Sequence, residues 1–302
     1  MSSTFRTAVV RNPNGPESIE IIEVPVVEPG PGQVRVRIAG TCVNPVDLAL
    51  AAGVFHGLGV VGRRDYTGIG WDFAGTVTAA GPDADIPVGS RVAGLVTGFD
   101  RDFGTYAEQL VVPVSDIAPV PDGLDLVTAA TIPLNGLAAA QIVDLLGDGD
   151  GRGLLVTGAA GTVGGFVVPL ARERGWRVTG LARAEDEEFV RGLGAGFVTE
   201  TTGRWDAVAD AAGLQERGAA LVRDGGVFVG VKPNAGPAPE RGITVRVVEV
   251  RPDGARLAGL LDDAAKGRLP ARVHAVVPLD RVADAHRAVA KGGVRGKYVL
   301  RP

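Results

Sequence analysis

The stretch Gly153 to Gly165, GLLVTGAAGTVGG, constrains the fold more than any other part of the chain. Leu154 to Thr157 is short, apolar and partly β-branched, the composition of a strand buried in a parallel sheet. It runs directly into glycines at 158, 161, 164 and 165, and an apolar segment from Phe166 to Ala171 then begins a helix. Strand, glycine turn and helix in that order bring backbone N–H groups and the positive end of a helix dipole to one point, where a pyrophosphate can bind. The residues that would line it are Ala159, Ala160, Gly161, Thr162, Val163 and Gly164. By itself the pattern Ala159-x-Gly161-x-x-Gly164, with alanine in the first glycine position, fits equally well a tight turn in any α/β sheet.

The next segment favours the nucleotide. After Gly175-Trp176-Arg177 a second strand, Val178 to Ala182, ends at Arg183, about 20 residues past the glycines, where such folds read the adenosine ribose. An acid at that place would take a 2′-hydroxyl, whereas an arginine suits a 2′-phosphate. NADP(H) is therefore the expected cofactor, with Glu185 and Asp186 adding negative charge nearby.

At 302 residues the chain has room for two domains, each with its own core. Its 45 glycines are about twice the usual share, as in turn-rich α/β enzymes. The net charge is −4 with acids and bases interspersed, and no basic stripe or aromatic-interleaved patch points to nucleic acid. A single cysteine excludes both a disulfide framework and a four-cysteine zinc site. MSSTFRTAVV lacks the apolar core of a signal peptide, and no apolar run approaches the ~20 residues that span a bilayer. The expectation is a soluble cytoplasmic protein with neither membrane nor nucleic acid as partner.

Residues 1–40 alternate and turn like an antiparallel β region, with Val34-Arg35-Val36-Arg37-Ile38 a half-exposed strand. Asn44-Pro45-Val46-Asp47 opens a helical segment to Gly53, and residues 54–70 read as an irregular, glycine-rich loop long enough to be functional. Trp71 to Thr78, Arg91 to Val96 and Tyr106 to Val112 read as further strands. From Leu124 the period changes. Helical segments lead to the strand at 154, and strand and helix signals then alternate: strands at 178–182, 197–198, 207–209, 227–231 and 243–250, helices at 184–193 and 214–222. That alternation predicts a parallel sheet with helices on both faces. After a helix at 255–267, Arg272 to Val277 and Lys297 to Leu300 are β-like and expected to return to the N-terminal domain. Pro169 sits badly in this reading, because it removes a backbone donor from the helix after the glycine turn.

Seven segments carry a family likeness: NPVDLALAAG at 44–53, GWDFAGTV at 70–77, TIPLNGLAAAQ at 131–141, AAGTVG at 159–164, DAAG at 210–213, VRDGGVFVGV at 222–231 and RGKYVL at 295–300. In this order they resemble the medium-chain dehydrogenase/reductase superfamily, and within it the zinc-free quinone oxidoreductase and enoyl reductase branch. The resemblance implies an α/β chain: a Rossmann doubly wound parallel sheet over 124–267, and an N-terminal GroES-like β-rich domain over 1–123 and 268–302. It also implies a homodimer, and a reaction in a cleft between the domains.

Zinc-dependent members of that superfamily carry a cysteine at the place of Asn44, and a histidine and a glutamate in the segment matching Gly70-Trp71-Asp72. Here only Asp72 is left as an oxygen donor, too few for a tetrahedral site; Cys42 lies two residues off and is expected to pack as a small hydrophobe. No cysteine lies in Arg91 to Tyr106, where a structural zinc lobe would be. A metal-free chain is poorly suited to alcohol oxidation, since nothing stabilises the alkoxide. The resemblance implies NADPH-dependent reduction of a quinone or of the C=C bond of an α,β-unsaturated carbonyl.

The tyrosine that related enzymes carry after the Asn-x-x-Asp segment is missing; Ala49 and Phe55 hold the matching positions. Tyr66 and His56, in the adjacent loop, are the substitute candidates; packing is the other reading of Tyr66, and His56 is expected to be solvent-exposed. Asn44 is expected to bond the nicotinamide ribose or the substrate, and Asp47 to cap its helix. The family places Asn135, Gly230 and Val231 near the nicotinamide and Lys297 near the cofactor. His274 and His286 read as ordinary β-edge and helix residues. A short-chain dehydrogenase would need Tyr-x-x-x-Lys, and none of the tyrosines 66, 106 and 298 has it. A non-catalytic NADPH-binding protein, redox-sensing or structural, is the alternative function.

Overall fold

The computed structural model describes residues 4–62, 64–233 and 235–302; the first three residues of the N-terminal stretch and one residue of the 54–70 segment lie outside the described residues. The chain forms two compact units, one of Met1–Leu134, Arg251–Lys266 and Ala271–Pro302, the other of Asn135–Val250 and Gly267–Pro270.

In the second unit six strands form one parallel sheet. Leu154, Leu155, Val156 and Thr157 are all fully buried in succession, so both faces of that strand are covered. The strands lie in the order Gly196–Val198, Arg177–Leu181, Gly153–Thr157, Trp205–Asp210, Val222–Gly230, Thr244–Val247. Counted along the unit this is 3-2-1-4-5-6, so the order reverses between Gly153–Thr157 and Trp205–Asp210. At such a reversal the connections leave in opposite directions and open a crevice at the carboxyl ends of the strands, where doubly wound folds take their dinucleotide.

The helix Thr162–Glu173 follows the first strand through the glycine turn and runs on through Pro169. The proline thus lies past the first turn, and it removes the N–H that would bond the carbonyl of Gly165. The chain from 214 to 222 departs from the expected helix: only Glu216–Ala219 is helical, and a longer strand begins at Val222.

The first unit is built on the strand Gln33–Cys42. Val34, Val36 and Ile38 point into the core while Arg35 and Arg37 point out, as the alternation predicts. Its sheet runs Val273–Pro278, Lys297–Arg301, Gln33–Cys42, Asp72–Ala80, Arg91–Leu95, Ile117–Pro119, with Gln109–Pro113 paired to the start of Gln33–Cys42. The C-terminal strand Lys297–Arg301 lies antiparallel to the end of Gln33–Cys42, with Val299 opposite Cys42 and Leu300 opposite Thr41. A smaller sheet joins Ile19–Pro25, Thr4–Val10 and the short strand Thr67–Gly68. The 54–70 segment is less irregular than expected, since it holds that strand and the short helix Val54–Gly57. Phe5, Val34, Val36, Phe73 and Leu110 anchor one part of the core, and Leu50, Ile69, Tyr106 and Leu300 another. Among the described residues no helix is long and apolar enough to cross a membrane.

Candidate active site

The nucleotide end of the second unit is assembled from backbone. Gly158 takes φ +60° and Gly161 caps the helix without any side-chain hydrogen bond, so the first-turn N–H groups at 162–164 meet no capping side chain. A Cβ on Gly164 would stand 2.3 Å from the carbonyl oxygen of Gly158, so the close approach of helix and turn admits only glycine there. The turn is tied to the neighbouring strand by side chains that carried no assignment in the sequence. Thr157 Oγ1 donates to Asp210 Oδ1 at 2.6 Å and accepts from the N–H of Ala212 at 3.1 Å, and Asp210 Oδ2 accepts from the N–H of Gln215 at 2.8 Å. Asp210 belongs to the DAAG segment, but its partner lies 53 residues away, and only the parallel pairing of the two strands joins them.

Arg183 follows the strand Arg177–Leu181, exposed, with its guanidinium 3.7 Å from the Glu185 carboxylate. Asp186 beside it is buried. Gly230 ends the strand Val222–Gly230, level with Asp210 across the sheet, and Val231 follows it. Asn135 lies buried in the first turn of the helix Pro133–Leu146.

The first unit holds a polar cluster inside its core. Asn44 follows the strand Gln33–Cys42 and starts the helix Pro45–Ala51, with proline at the position where a missing N–H costs nothing. Its backbone N–H donates to Asp47 Oδ2 at 2.9 Å, the expected capping role of Asp47, and Asp47 Oδ1 accepts from the N–H of Gly70 at 3.1 Å. The pairing of Thr41 with Phe73 brings Asp72 beside Cys42 and Asn44. Asp72 Oδ1 accepts from the N–H of Cys42 at 3.1 Å and from Asn44 Nδ2 at 3.2 Å. The N–H of Val43 donates to the carbonyl of Tyr298, and this sets Lys297 next to Asn44. Lys297 Nζ donates to Asn44 Oδ1 at 2.5 Å. Asn44 is 0 % exposed, Asp72 0 % and Lys297 6 %, so the three meet away from bulk water.

Burial pushes the Asp72 carboxyl up to about 7, with Lys297 pulling against it and Asp47 adding to it. Burial likewise raises Asp47 to about 6, opposed by the Asn44 backbone bond and by Arg101. The Arg101 guanidinium donates to the carbonyls of Val96 and Gly70 and lies over the Trp71 ring, 5.4 Å from its centre; burial lowers it to about 10. Tyr106, fully buried, has its hydroxyl 3.3 Å from His286 Nε2, and burial pushes that imidazole down to about 4. His286 is therefore a buried partner of Tyr106 rather than an ordinary helix residue. The Cys42 thiol donates to the carbonyl of Ala130 at 3.2 Å, packed as a small buried group.

The proton-donor candidates are held by other contacts. Tyr66 is half-buried with the Arg11 guanidinium 5.7 Å from its ring centre. His56 is half-buried rather than solvent-exposed, in the helix Val54–Gly57. Trp71 offers an indole N–H, which donates and cannot ligate, and its ring packs edge-on against Phe99 at 5.2 Å. No group of three or more His, Cys, Asp and Glu side chains that could hold a metal exists among the described residues. The donor set around Asn44 does not fit zinc: the amide oxygen already holds an ammonium, and Trp71 supplies no lone pair.

The reversed parallel sheet with its glycine turn defines a dinucleotide-binding fold joined to a β-rich unit. Residues 30–122 match the family described as alcohol dehydrogenase GroES-like domain, and residues 184–300 that described as zinc-binding dehydrogenase. A 2-haloacrylate reductase from a Burkholderia species is 34% identical over 192 residues, 62% of this chain and 56% of that protein. A 2-methylene-furan-3-one reductase from Solanum lycopersicum is 27% identical over 295 residues, 89% of this chain and 72% of that protein. The chain spans about half the length of the first curated relatives it matches. The solved structure of the quinone oxidoreductase from Coxiella burnetii superposes with a TM-score of 0.89 at 22% identity, covering 99% of this chain and 100% of that one, a likeness of fold. The fold is that of the medium-chain dehydrogenase/reductases, a GroES-like N-terminal domain and a Rossmann-like parallel sheet, and the relatives it resembles include enoyl, haloacrylate and quinone reductases. The fold of this family binds a nicotinamide cofactor.

Proposed function

We propose that the chain is an NADPH-dependent reductase that delivers hydride to a quinone, or to the C=C bond of an α,β-unsaturated carbonyl, without a metal ion. The observation that carries this reading is the engagement of Asn44 by Lys297, at the place where zinc-dependent relatives bind their metal, in a chain whose nucleotide turn is intact. With no Lewis acid to hold an alkoxide, an acceptor that spreads its new charge onto an enolate or hydroquinone oxygen is the easier substrate. When bound, NADPH supplies the hydride.

The residues of the chain bind and orient. Backbone N–H groups of Ala159 to Gly164 take the pyrophosphate at the helix N-terminus. Arg183 takes the 2′-phosphate, and Asn135, Gly230 and Val231 lie by the nicotinamide. Asn44 bonds the nicotinamide ribose or the substrate and, through the amide that engages Lys297, Asp72 and the carbonyl of Cys42, also orients Lys297. Holding donor and acceptor in line can supply ~7–11 kcal/mol of the barrier. Protonation of the enolate comes from solvent, the Tyr66 ring being engaged by the Arg11 guanidinium. A homodimer in the cytoplasm belongs to the same reading, and sedimentation equilibrium checks the dimer.

Steady-state NADPH oxidation with a panel of quinones and enones is the direct test. Turnover with at least one conjugated acceptor and none with simple alcohols is expected. Tight NADPH binding with no turnover on any acceptor overturns the reading in favour of a non-catalytic NADPH-binding protein.

A further inference from the structure

Asp72 is fully buried, and its Oδ2 has no hydrogen-bond partner among the described residues. Its other oxygen accepts from Asn44 Nδ2, whose amide oxygen accepts from Lys297 Nζ. One amide thus bridges a buried carboxyl to a buried ammonium. The amide has two different ends, and only one orientation satisfies both neighbours: turned over, its NH₂ would face the ammonium and its oxygen the carboxyl. Asp72, together with the carbonyl of Cys42 on the same Nδ2, therefore fixes which end of Asn44 meets Lys297. The 2.5 Å contact between Lys297 and Asn44 is in the short range of charge-assisted bonds and takes one of three ammonium N–H groups. Among the described residues no other group takes the remaining two, which are left for an oxygen acceptor.

We infer that Asp72 is a positioning residue that acts through Asn44 to hold the Lys297 ammonium in place as the hydrogen-bond donor to the carbonyl or quinone oxygen on which charge develops during reduction. This rests on the reductase reading above and names within it the group that meets the oxyanion. A preorganised donor in a water-poor site is worth more to developing charge than to the neutral carbonyl, so its loss falls on kcat more than on KM. Lys297 donates a hydrogen bond and keeps its proton.

The experiment compares wild type, Asp72→Asn, Lys297→Met and the double variant, using a quinone or enone the wild type reduces. Asp72→Asn offers the amide an NH₂ in place of one carboxyl oxygen and removes the charge. It is expected to lower kcat about ten- to a hundredfold, the worth of a hydrogen bond to a charged group, with NADPH affinity kept within about threefold. The double variant should be no slower than Lys297→Met alone, because both changes break one device. Independent effects that multiply, or Asp72→Asn at the wild-type rate, overturn the inference.

A second readout needs no turnover. In lysine-¹⁵N-labelled protein the held ammonium should give a slowly exchanging Nζ–H signal, absent from Lys297→Met and lost in Asp72→Asn. Its persistence in Asp72→Asn overturns the inference. Should that variant not fold, Asn44→Leu breaks the bridge in its middle and is held to the same outcome. Wild type that turns over no acceptor but shows the signal, lost on Asp72→Asn, sinks the reductase reading while the positioning of Lys297 stands.

Discussion

Arg183 and Glu185 are both well exposed, their side chains 62% and 66% accessible, and a pair of that kind contributes little. The arginine is therefore not tied up by its neighbour, and a phosphate can replace the carboxylate. Arg183→Ala should weaken NADPH binding about ten- to a hundredfold and leave NADH binding nearly unchanged, read by fluorescence titration with each cofactor. Equal affinity of the wild type for both would mean that Glu185 governs the pocket. Tyr66→Phe and His56→Ala should each cost less than about tenfold in kcat, well short of the ~10²–10⁴-fold of a true general acid. A larger loss in Tyr66→Phe, with NADPH affinity intact, would make that hydroxyl the proton donor. His286 bears on stability instead. Burial holds its imidazole down to about 4, so the folded chain declines a proton that the unfolded chain binds near ~6.5. Its contribution is full above that upper value and drains away as pH falls toward the lower one. Asp47 and Asp72 have the opposite sign: raised to about 6 and about 7, they stabilise the fold below their unfolded values near ~4 and lose that contribution as pH rises through 6 to 7. His286→Gln removes only the first effect. In urea titrations, stability of the variant relative to wild type should improve by about 3 kcal/mol between pH 7 and pH 4. Parallel curves would show that the imidazole is not held neutral.

At the scale of elements, the glycine turn is a steric device before it is a chemical one. The helix can start against the end of the strand only because position 164 has no Cβ, which would otherwise press on the Gly158 carbonyl at 2.3 Å. Gly164→Ala should cost about 1–3 kcal/mol of stability by thermal or urea denaturation and raise the NADPH dissociation constant, since the turn must shift to admit the methyl group. Unchanged cofactor affinity would detach the turn from the nucleotide. This device was readable from the chain because strand, turn and helix are consecutive and each has a local signal. The strand Gln33–Cys42 was readable for the same reason, its alternation of valines and arginines matching the pleat. The region from 214 to 230 was not. Its glycines and small apolar residues carry no clear period, and the strand starting at Val222 is set by parallel pairing with Trp205–Asp210. In 54–70, pairing likewise makes a strand of Thr67–Gly68 that glycine content hides.

For the molecule as a whole, the residues around Asn44 support the metal-free proposal, which can be checked directly. Protein purified without a metal-affinity tag should contain no stoichiometric zinc by elemental analysis, and chelators should leave its activity unchanged. One zinc per chain, with activity lost on chelation, would overturn the metal-free reading. The sequence by itself determined the two kinds of architecture, the strand and glycine turn at 153–165, the arginine at the end of the second strand, and the poverty of metal donors at Asn44 and Trp71. All of these are properties of neighbouring residues or of single positions. Only the tertiary structure decided that Lys297, 253 residues from Asn44, is its hydrogen-bond partner. It alone decided that Asp72 shares the same amide, that Thr157 and Asp210 lock the turn, and that Tyr106 and His286 are buried together. Those contacts depend on the register in which distant strands pair and on which side chains packing removes from water, and neither quantity is written in any local stretch of the chain.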